Sequence, residues 1–134
     1  MTAKDQIKLE VVTPEKEVFC GMVEDFYFPA LVGETGVLRN HAPMLSIVVP
    51  GVVRFRQNGA LRKMAVGRGF LDLRQNEAKL LVASAELTED IDAARAEAAR
   101  ERAEKRLREQ AKTLDRARAE AALARAVARL KALE

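Results

Sequence analysis

The sequence predicts a β + α protein, with an N-terminal antiparallel β-sandwich followed by a C-terminal antiparallel hairpin of two helices. Up to about residue 86, apolar residues alternate or form short blocks between turn residues; afterwards they recur every three or four residues. A change of period from 2 to 3.6 marks a change from strand to helix. All seven glycines and all four prolines also lie in the first part. We therefore predict a sandwich docking domain over residues 1–86 and a helical regulatory arm over 87–134.

Short apolar segments at strand-like spacing fill the first part. Residues 7–11 and 52–56 alternate between polar and apolar, whereas residues 45–49 form an apolar, β-branched block. Asn58-Gly59 is the strongest hairpin signal, because a type I′ turn needs positive φ at both central positions. Many short strands with no helical pattern between them are typical of an antiparallel sandwich or barrel.

One of these segments, residues 23–28, carries three aromatic side chains. Phe26 and Phe28 share one face and Tyr27 takes the other, since side chains alternate along a strand. Pro29 should end this strand or lie at its edge, because it has no N–H to donate.

Glycines predict two tight places in the first part. Gly33 and Gly36 can supply the positive φ angles of a turn between strands. Gly67 and Gly69 predict a second tight spot or a bulge.

The arm is predicted as two helices, over about residues 89–110 and 114–133. Thr88 is the expected N-cap of the first helix and Thr113 that of the second, followed by Asp115 in the first turn. Alanine seams should let the helices approach closely while burying little area. The predicted seam residues are Ala94, Ala98, Ala99, Ala103 and Leu107 in the first helix, and Leu114, Ala117, Ala121, Ala124 and Ala128 in the second. Larger side chains form a stripe on the second helix that could pack on the sandwich or on another protein: Leu123, Val127, Leu130 and Leu133.

Composition argues against several classes of function. The net charge is +3, basic and acidic residues are interleaved, and the arm has no aromatic residue, whereas nucleic-acid binding needs a one-sided basic face and stacking aromatics. One histidine and one cysteine leave little for catalysis or for a metal site. Lone Cys20 fits a reducing compartment, and no apolar run is long enough to span a membrane.

The arginines of the arm point to a ligand. An antiparallel hairpin would bring Arg95 near Arg125 and Arg129, with Glu86 and Asp92 alongside. Guanidinium groups suit phosphates, and carboxylates suit a base amino group or a ribose hydroxyl. The plainer alternative is a solvated face with surface ion pairs, and helical spacing alone favours that alternative.

Two residues of the first part are candidates for partner contacts. Glu34, between two glycines, is either a solvated turn residue or an acid that docks on a basic partner. His41, beside Pro43, is either a loop histidine bonded to local backbone or a contact residue on an exposed loop.

Three features together resemble the epsilon subunit family of bacterial F-type ATP synthases. They are Gly33-Glu34-Thr35-Gly36-Val37-Leu38 followed by His41-Ala42-Pro43, then Pro50-Gly51 with Gly67-Arg68-Gly69-Phe70, and the Ala/Arg-rich hairpin. The resemblance covers essentially the whole chain. One departure is visible: the family usually has two adjacent glycines before the position of Phe70, where this chain has Arg68 and Gly69.

The resemblance implies a ten-stranded sandwich that packs on the gamma subunit and on the membrane ring of c subunits. It implies a central-stalk subunit, non-catalytic by itself, at the cytoplasmic face of the bacterial cell membrane, which couples proton flow to ATP synthesis without inserting into the membrane. Glu34 and His41 would fall on loops facing the ring. The arm would restrain ATP hydrolysis by extending into the alpha/beta catalytic head.

Part of the family binds ATP in the folded arm, through Ile or Leu, Asp, two variable residues, Arg and Ala. Ile91-Asp92-Ala93-Ala94-Arg95-Ala96 matches every fixed position. The resemblance thus implies ATP as a regulatory ligand, with no required cofactor and no metal. The implied ATP-binding residues are Glu86, Ile91, Asp92, Arg95, Ala96, Arg102, Arg125 and Arg129. The alternative from another class is a free-standing adaptor with a coiled-coil-like arm.

Overall fold

The computed structural model describes residues 6–109 and 115–134 of the 134-residue chain. Within these ranges, ten strands are followed by a 3₁₀ turn (Thr88–Asp90) and two helices, and the predicted fold class is confirmed. The strands are β1 (Ile7–Val12), β2 (Glu17–Val23), β3 (Asp25–Ala30), β4 (Gly33–Leu38), β5 (Met44–Val48), β6 (Gly51–Gln57), β7 (Ala60–Val66), β8 (Gly69–Arg74), β9 (Glu77–Val82) and β10 (Ala85–Leu87). The helices are α1 (Ala93–Arg108) and α2 (Arg116–Ala132). The domain boundary predicted between residues 86 and 87 falls inside β10.

The strands follow the order β10-β7-β6-β3-β5-β8-β9-β1-β2, and β4 pairs with β3. The sheet folds over at β3, which pairs with β6 through residues 25–27 and with β5 at Ala30. Pro29 lies at this change of neighbour, so its missing N–H breaks no ladder, and its carbonyl accepts from Val49 N at 2.9 Å. One pair departs from the antiparallel prediction: β1 and β9 run parallel.

The core lies between the two layers of the sandwich and is made of large side chains. Phe26, Phe28 and Phe55 are fully buried, and alternate residues of β1 are buried with them. The predicted shared face of Phe26 and Phe28 is confirmed, as is the Asn58-Gly59 hairpin, where φ is 53° and 79°.

The predicted turn at Gly33–Gly36 is wrong, because these residues form most of β4. Only Gly33 has positive φ, at 119°. Gly36 is required for space instead: a Cβ there would lie 2.6 Å from Cε2 of Tyr27. The tight place predicted near Gly69 is confirmed, since a Cβ at Gly69 would lie 2.0 Å from the Leu81 carbonyl oxygen.

The first helix begins four residues later than predicted. Thr88 opens the 3₁₀ turn rather than capping a helix, and Ile91 is extended, with φ −85° and ψ 125°. Ile91 packs against the apolar cluster that Ala65 of the sheet forms with Ala128 and Ala132 of α2. Asp92 is the N-cap of α1, where its carboxylate accepts from Arg95 N at 3.1 Å.

The second helix is also capped by an aspartate. Asp115, predicted in the first turn, is the N-cap of α2 and accepts from Arg118 N at 3.0 Å. The predicted cap Thr113 and the predicted boundaries at residues 110 and 114 lie outside the described residues.

The arm is folded, with α1 packed on α2 and α2 packed on β6 and β7. The predicted seam is mostly wrong in phase, because only Ala103 and Ala128 of its described members are buried. The buried residues of the described helices are Ala96 and Ala103 in α1, and Ala119, Ala126, Ala128 and Ala132 in α2. The seven-residue spacings of 96–103 and 119–126 are those of a coiled-coil seam, whereas Ala128 and Ala132 pack on the sheet. The stripe predicted around Leu130 is half-buried.

Candidate functional site

A cleft of about 400 Å³ opens between the 3₁₀ turn, α1 and α2. It is lined by Glu86, Asp90, Asp92, Arg95, Ala96, Ala99, Arg102 and Arg129. Six of the eight residues implied by the family resemblance are therefore brought together in one concave site. Three arginines and three carboxylates share its walls, which suits a ligand that is anionic at one end and carries hydrogen-bond donors at the other.

Glu86 and Arg129 form the wall between the sandwich and the arm. The Nε atom of Arg129, on α2, lies 2.5 Å from Oε1 of Glu86, on β10. Both side chains are about one-third exposed, so this pair is less screened by solvent than a surface pair. It ties α2 to the sheet at the mouth of the cleft.

Asp92 and Arg95 form the opposite wall, at the start of α1. Because Asp92 caps α1 through Arg95 N, it fixes where the helix begins and which side chains of the first turn reach the cleft. Ala96 follows, only 2% exposed, so its small side chain leaves the floor of the cleft open. Arg102 lies on the same helix face, seven residues after Arg95.

Two implied residues lie outside the cleft. Ile91 packs against Ala65 and the end of α2. Arg125 lies one turn before Arg129 and borders a separate small pit beside Ser84 and Glu86.

Two lining residues were missed by sequence reasoning. Ala99 lies three residues from both Ala96 and Arg102, and this spacing could have identified it. Asp90 ends the 3₁₀ turn, which no helical or strand periodicity predicts.

The joint between sheet and arm is fixed by Arg62 of β7. Its guanidinium carbon lies 5.7 Å from the ring centroid of Phe19 and 5.4 Å from that of Phe55. Arg62 also donates to Gln57 Oε1 at 2.9 Å and to Glu89 Oε1 at 2.7 Å. The pKa of the Glu89 carboxyl is lowered, first by a hydrogen bond from the backbone N–H of Glu89 itself and then by the Arg62 guanidinium. The turn that carries Asp90 is thereby held against the sandwich.

Glu34 and His41 lie at opposite ends of β4. Glu34 is within the strand rather than in a loop, and its carboxylate accepts from Arg54, with Nε 3.1 Å from Oε2. The Arg54 guanidinium also lies over the Tyr27 ring, 5.2 Å from its centroid. His41 follows the strand, and its Nδ1 atom is 2.7 Å from the Ala42 carbonyl oxygen. The contact of His41 with local backbone is the one that its plainer interpretation predicted, whereas Glu34 is not the solvated turn residue of its plainer interpretation but pairs with Arg54 of β6.

An exposed apolar row crosses three strands on the outer face of the sandwich. Ile47 of β5 is opposite Phe70 of β8, and Phe70 is opposite Leu81 of β9. These side chains are 47%, 62% and 46% exposed, and they border a shallow cavity of about 520 Å³ together with Pro14 and Arg68. Strand alternation does not reveal which face of a sheet is covered, so the sequence did not predict this row.

Among residues 6–109 and 115–134, one group of side chains has metal-ligand chemistry, on β1 and β2. Ligand atoms of Glu10, Glu17 and Cys20 lie within 4.8 Å of one another. Partial desolvation, followed by the hydrogen bond that the thiol donates to Glu17 and by the negative charge of Glu17, raises the pKa of the Cys20 thiol. This shift disfavours the thiolate that a metal would need. Among the described helices, none is long and apolar enough to cross a membrane.

Comparisons with known proteins cover the whole described chain. The ATP synthase Delta/Epsilon chain beta-sandwich domain matches residues 6–88, and the long alpha-helix domain of the same chains matches residues 89–134. The ATP synthase epsilon chain of Pelotomaculum thermopropionicum is 46% identical over 107 residues, 80% of this chain and 79% of that one. That of Desulfosudis oleivorans is 45% identical over 104 residues, 77% of this chain and 78% of that one.

A solved structure has the same fold. A chain in the Euglena gracilis mitochondrial ATP synthase structure of OSCP/F1/c-ring superposes with a TM-score of 0.83 at 21% identity, covering 97% of this chain and 82% of that one. The matches to the sandwich, the matches to the arm and the identity to whole relatives all indicate the same family. The chain therefore belongs to the ATP synthase delta/epsilon chain family.

Proposed function

We propose that this chain is a non-catalytic central-stalk subunit of an F-type ATP synthase, and that its folded arm binds ATP. The observation that carries the proposal is the cleft, in which Glu86, Asp92, Arg95, Arg102 and Arg129 line a single concavity. A solvated face with ion pairs, the alternative favoured by helical spacing alone, would not need these charges to converge from three elements.

The chemistry of the cleft suits a nucleotide. Arg95 and Arg102 on α1 face the same cleft as Arg129 on α2, so phosphate oxygens can bind between the helices. The N-terminus of α1 adds the positive end of a helix dipole. Asp92, Asp90 and Glu86 supply acceptors for ribose hydroxyls or an exocyclic amino group.

ATP would act by favouring one state of the arm. The cleft requires α1, α2 and β10 together, so it exists only when the arm is folded. A ligand that binds only one state stabilises it by about 2.7 kcal/mol at a hundredfold excess over its dissociation constant. High ATP would keep the arm folded, and low ATP would release it to reach the alpha/beta catalytic head and restrain ATP hydrolysis.

The outer face of the sandwich supplies the docking surface in this proposal. The apolar row Ile47, Phe70 and Leu81 is exposed, and exposed apolar patches of this kind mark protein interfaces. We assign it to the gamma subunit. Glu34 and His41 would contact the ring of c subunits, and the chain would then lie at the cytoplasmic face of the membrane as a peripheral part of a complex that couples proton flow to ATP synthesis.

Calorimetry of the full chain with ATP tests the ligand. We expect saturable binding that is weakened at least tenfold by Arg95→Ala and by Arg129→Ala, because each removes a phosphate donor. Arg100→Ala is the matched control, since Arg100 is on α1 but pairs with Glu97 and does not line the cleft. Absence of binding at millimolar ATP would rule out ATP as the ligand. Equal affinities in all variants would show that ATP does not bind in this cleft.

Co-purification tests the partner and separates a stalk subunit from a free-standing adaptor. We expect association with a gamma subunit that is lost in Phe70→Glu and kept in Leu61→Glu, a change at another exposed apolar position. A partnerless or homodimeric protein would favour the adaptor.

The arm is tested by removing the residues after Leu87 and measuring ATP hydrolysis of the whole complex, which should rise at low ATP.

A further inference from the structure

The end of α2 contacts the sandwich through little apolar surface. Ala128 and Ala132 pack on Ala65 of β7, with Val52 and Ile91 alongside. Alanine side chains bury a small area, so this contact gives the docked arm only weak stabilisation. Polar contacts at the same corner therefore have a large influence on whether α2 stays on the sheet.

Thr88, the first residue of the 3₁₀ turn, joins the sheet to the end of α2. Its hydroxyl oxygen lies 3.0 Å from the Lys63 carbonyl oxygen and 3.2 Å from the Ala132 carbonyl oxygen. Ala132 is the last residue of α2, and the last carbonyls of a helix have no partner within it. The single hydroxyl proton is shared between the two carbonyls, and its contact with Ala132 exists only while α2 is docked.

Lys63 makes a second contact at this corner. Its Nζ atom, on β7, donates to the main-chain oxygen of Glu134 at 2.8 Å. A lysine at the C-terminal end of a helix is also attracted by the negative end of the helix dipole. One turn earlier, Arg129 reaches Glu86, so the cleft wall depends on where this end of α2 is held.

We propose that Thr88 and Lys63 are positioning residues for the cleft, which hold the end of α2 on β7 and so set the fraction of arms that are docked before any nucleotide binds. The part of this inference that concerns ATP rests on the proposed function, whereas the part that concerns docking of α2 on the sheet does not. When the binding-competent state is only fractionally populated, apparent affinity falls by that fraction. Loosening this corner therefore weakens ATP binding without the substitution of any residue that lines the cleft.

The test uses the full chain with two spin labels and no nucleotide. One label is attached to the exposed Cys20 on β2 and the other to Ala121→Cys, at an exposed position of α2, and electron–electron distances give the docked fraction. Thr88→Val removes the hydroxyl but keeps the shape, and Thr88→Ser keeps the hydroxyl. Thr35→Val is the matched control, because the Thr35 hydroxyl bonds locally to the Gly33 carbonyl at 3.3 Å.

We expect Thr88→Val to lower the ratio of docked to released arms about fivefold, the net effect of one neutral hydrogen bond. Adding Lys63→Met should lower it about twenty-five-fold if the two contacts are independent. The apparent dissociation constant for ATP should rise as the docked fraction falls, and saturating ATP should restore docking. Thr88→Ser and Thr35→Val should match the unsubstituted chain.

An unchanged docked fraction in the double variant, with the sandwich folded, overturns the inference. An equal decrease of the docked fraction in Thr88→Ser and Thr88→Val also overturns it, because the hydroxyl would then be irrelevant. If docking falls as expected but no variant binds ATP, the holding role is supported and the nucleotide function fails instead.

Discussion

The sandwich and the arm are held together by side chains of very different size. In the sandwich, fully buried residues include Phe26, Phe28 and Phe55, whereas the buried residues of the described helices are all alanines. Each buried methylene contributes about 0.8 kcal/mol, so the arm is held far less firmly per residue. Elements that move in regulation are drawn from this low-stability end, so the arm, and not the sandwich, is the part that the proposed ligand would bias.

The largest expected effect lies in the sandwich core. Phe55 is fully buried, with its ring centroid 4.8 Å from that of Phe19. We expect Phe55→Ala to lower the free energy of unfolding by about 3–5 kcal/mol in urea denaturation. Phe70→Ala, at a position 62% exposed, should change it by about 0.5 kcal/mol or less. A similar decrease in the free energy of unfolding in both variants would contradict the contrast between core and surface.

An intermediate effect is expected where the helices approach closely. Ala126 is fully buried, so Ala126→Leu should cost about 1–3 kcal/mol through overpacking. Amide exchange should show faster opening of α1 and α2 with unchanged protection in the sheet. Ala121→Leu, at an exposed position of the same helix, is the control. Slower exchange in Ala126→Leu would mean that the seam is loose rather than tight.

A smaller effect is expected at the start of α1. Removing the N-cap in Asp92→Ala should destabilise the helix by about 1 kcal/mol and weaken ATP binding, because Arg95 is in the first turn. Helical circular dichroism and calorimetry measure the two consequences. Asp115→Ala, which removes the cap of α2, should lower helicity in the same way. If Asp92→Ala leaves helicity unchanged, the capping role assigned to Asp92 is wrong.

The smallest effect is a pH dependence at the joint. Because the pKa of Glu89 is lowered in the folded chain, its contribution to stability is present at neutral pH and is lost as pH falls through that lowered pKa. The Arg62–Glu89 pair is 33% and 57% exposed, so screening limits the contribution to about a few tenths of a kcal/mol. A carboxyl-carbon NMR titration should give a midpoint below 4.5, the ordinary value. A midpoint above that value would contradict the assignment.

Most of the fold was predictable because local patterns agree with it. Alternation located the strands, Asn58-Gly59 located a hairpin, and the loss of glycine and proline located the arm. The start of α1 was not predictable, because the tertiary contact of Ile91 with the sheet extends the chain where helical periodicity continues. The phase of the alanine seam failed for a related reason: every face of these helices carries alanines, so composition does not select one.

The candidate site divides in the same way. Arg95, Ala96 and Arg102 could be placed together from helical spacing. Glu86 and Arg129 lie on different elements, so they were connected by the predicted antiparallel pairing of the helices and by the family resemblance rather than by local spacing. Asp90 was missed because its place in the cleft depends on the 3₁₀ turn that Arg62 holds against the sandwich.

Native-state hydrogen exchange of the full chain, with and without ATP, tests the central claim most directly. We expect amides of α2 to exchange through a low-energy opening while those of β6 and β7 exchange only on global unfolding, and ATP to slow exchange in α2 selectively. Equal protection of helix and sheet without ATP, or exchange in α2 that saturating ATP leaves unchanged, would contradict the claim that a ligand controls a weakly held arm.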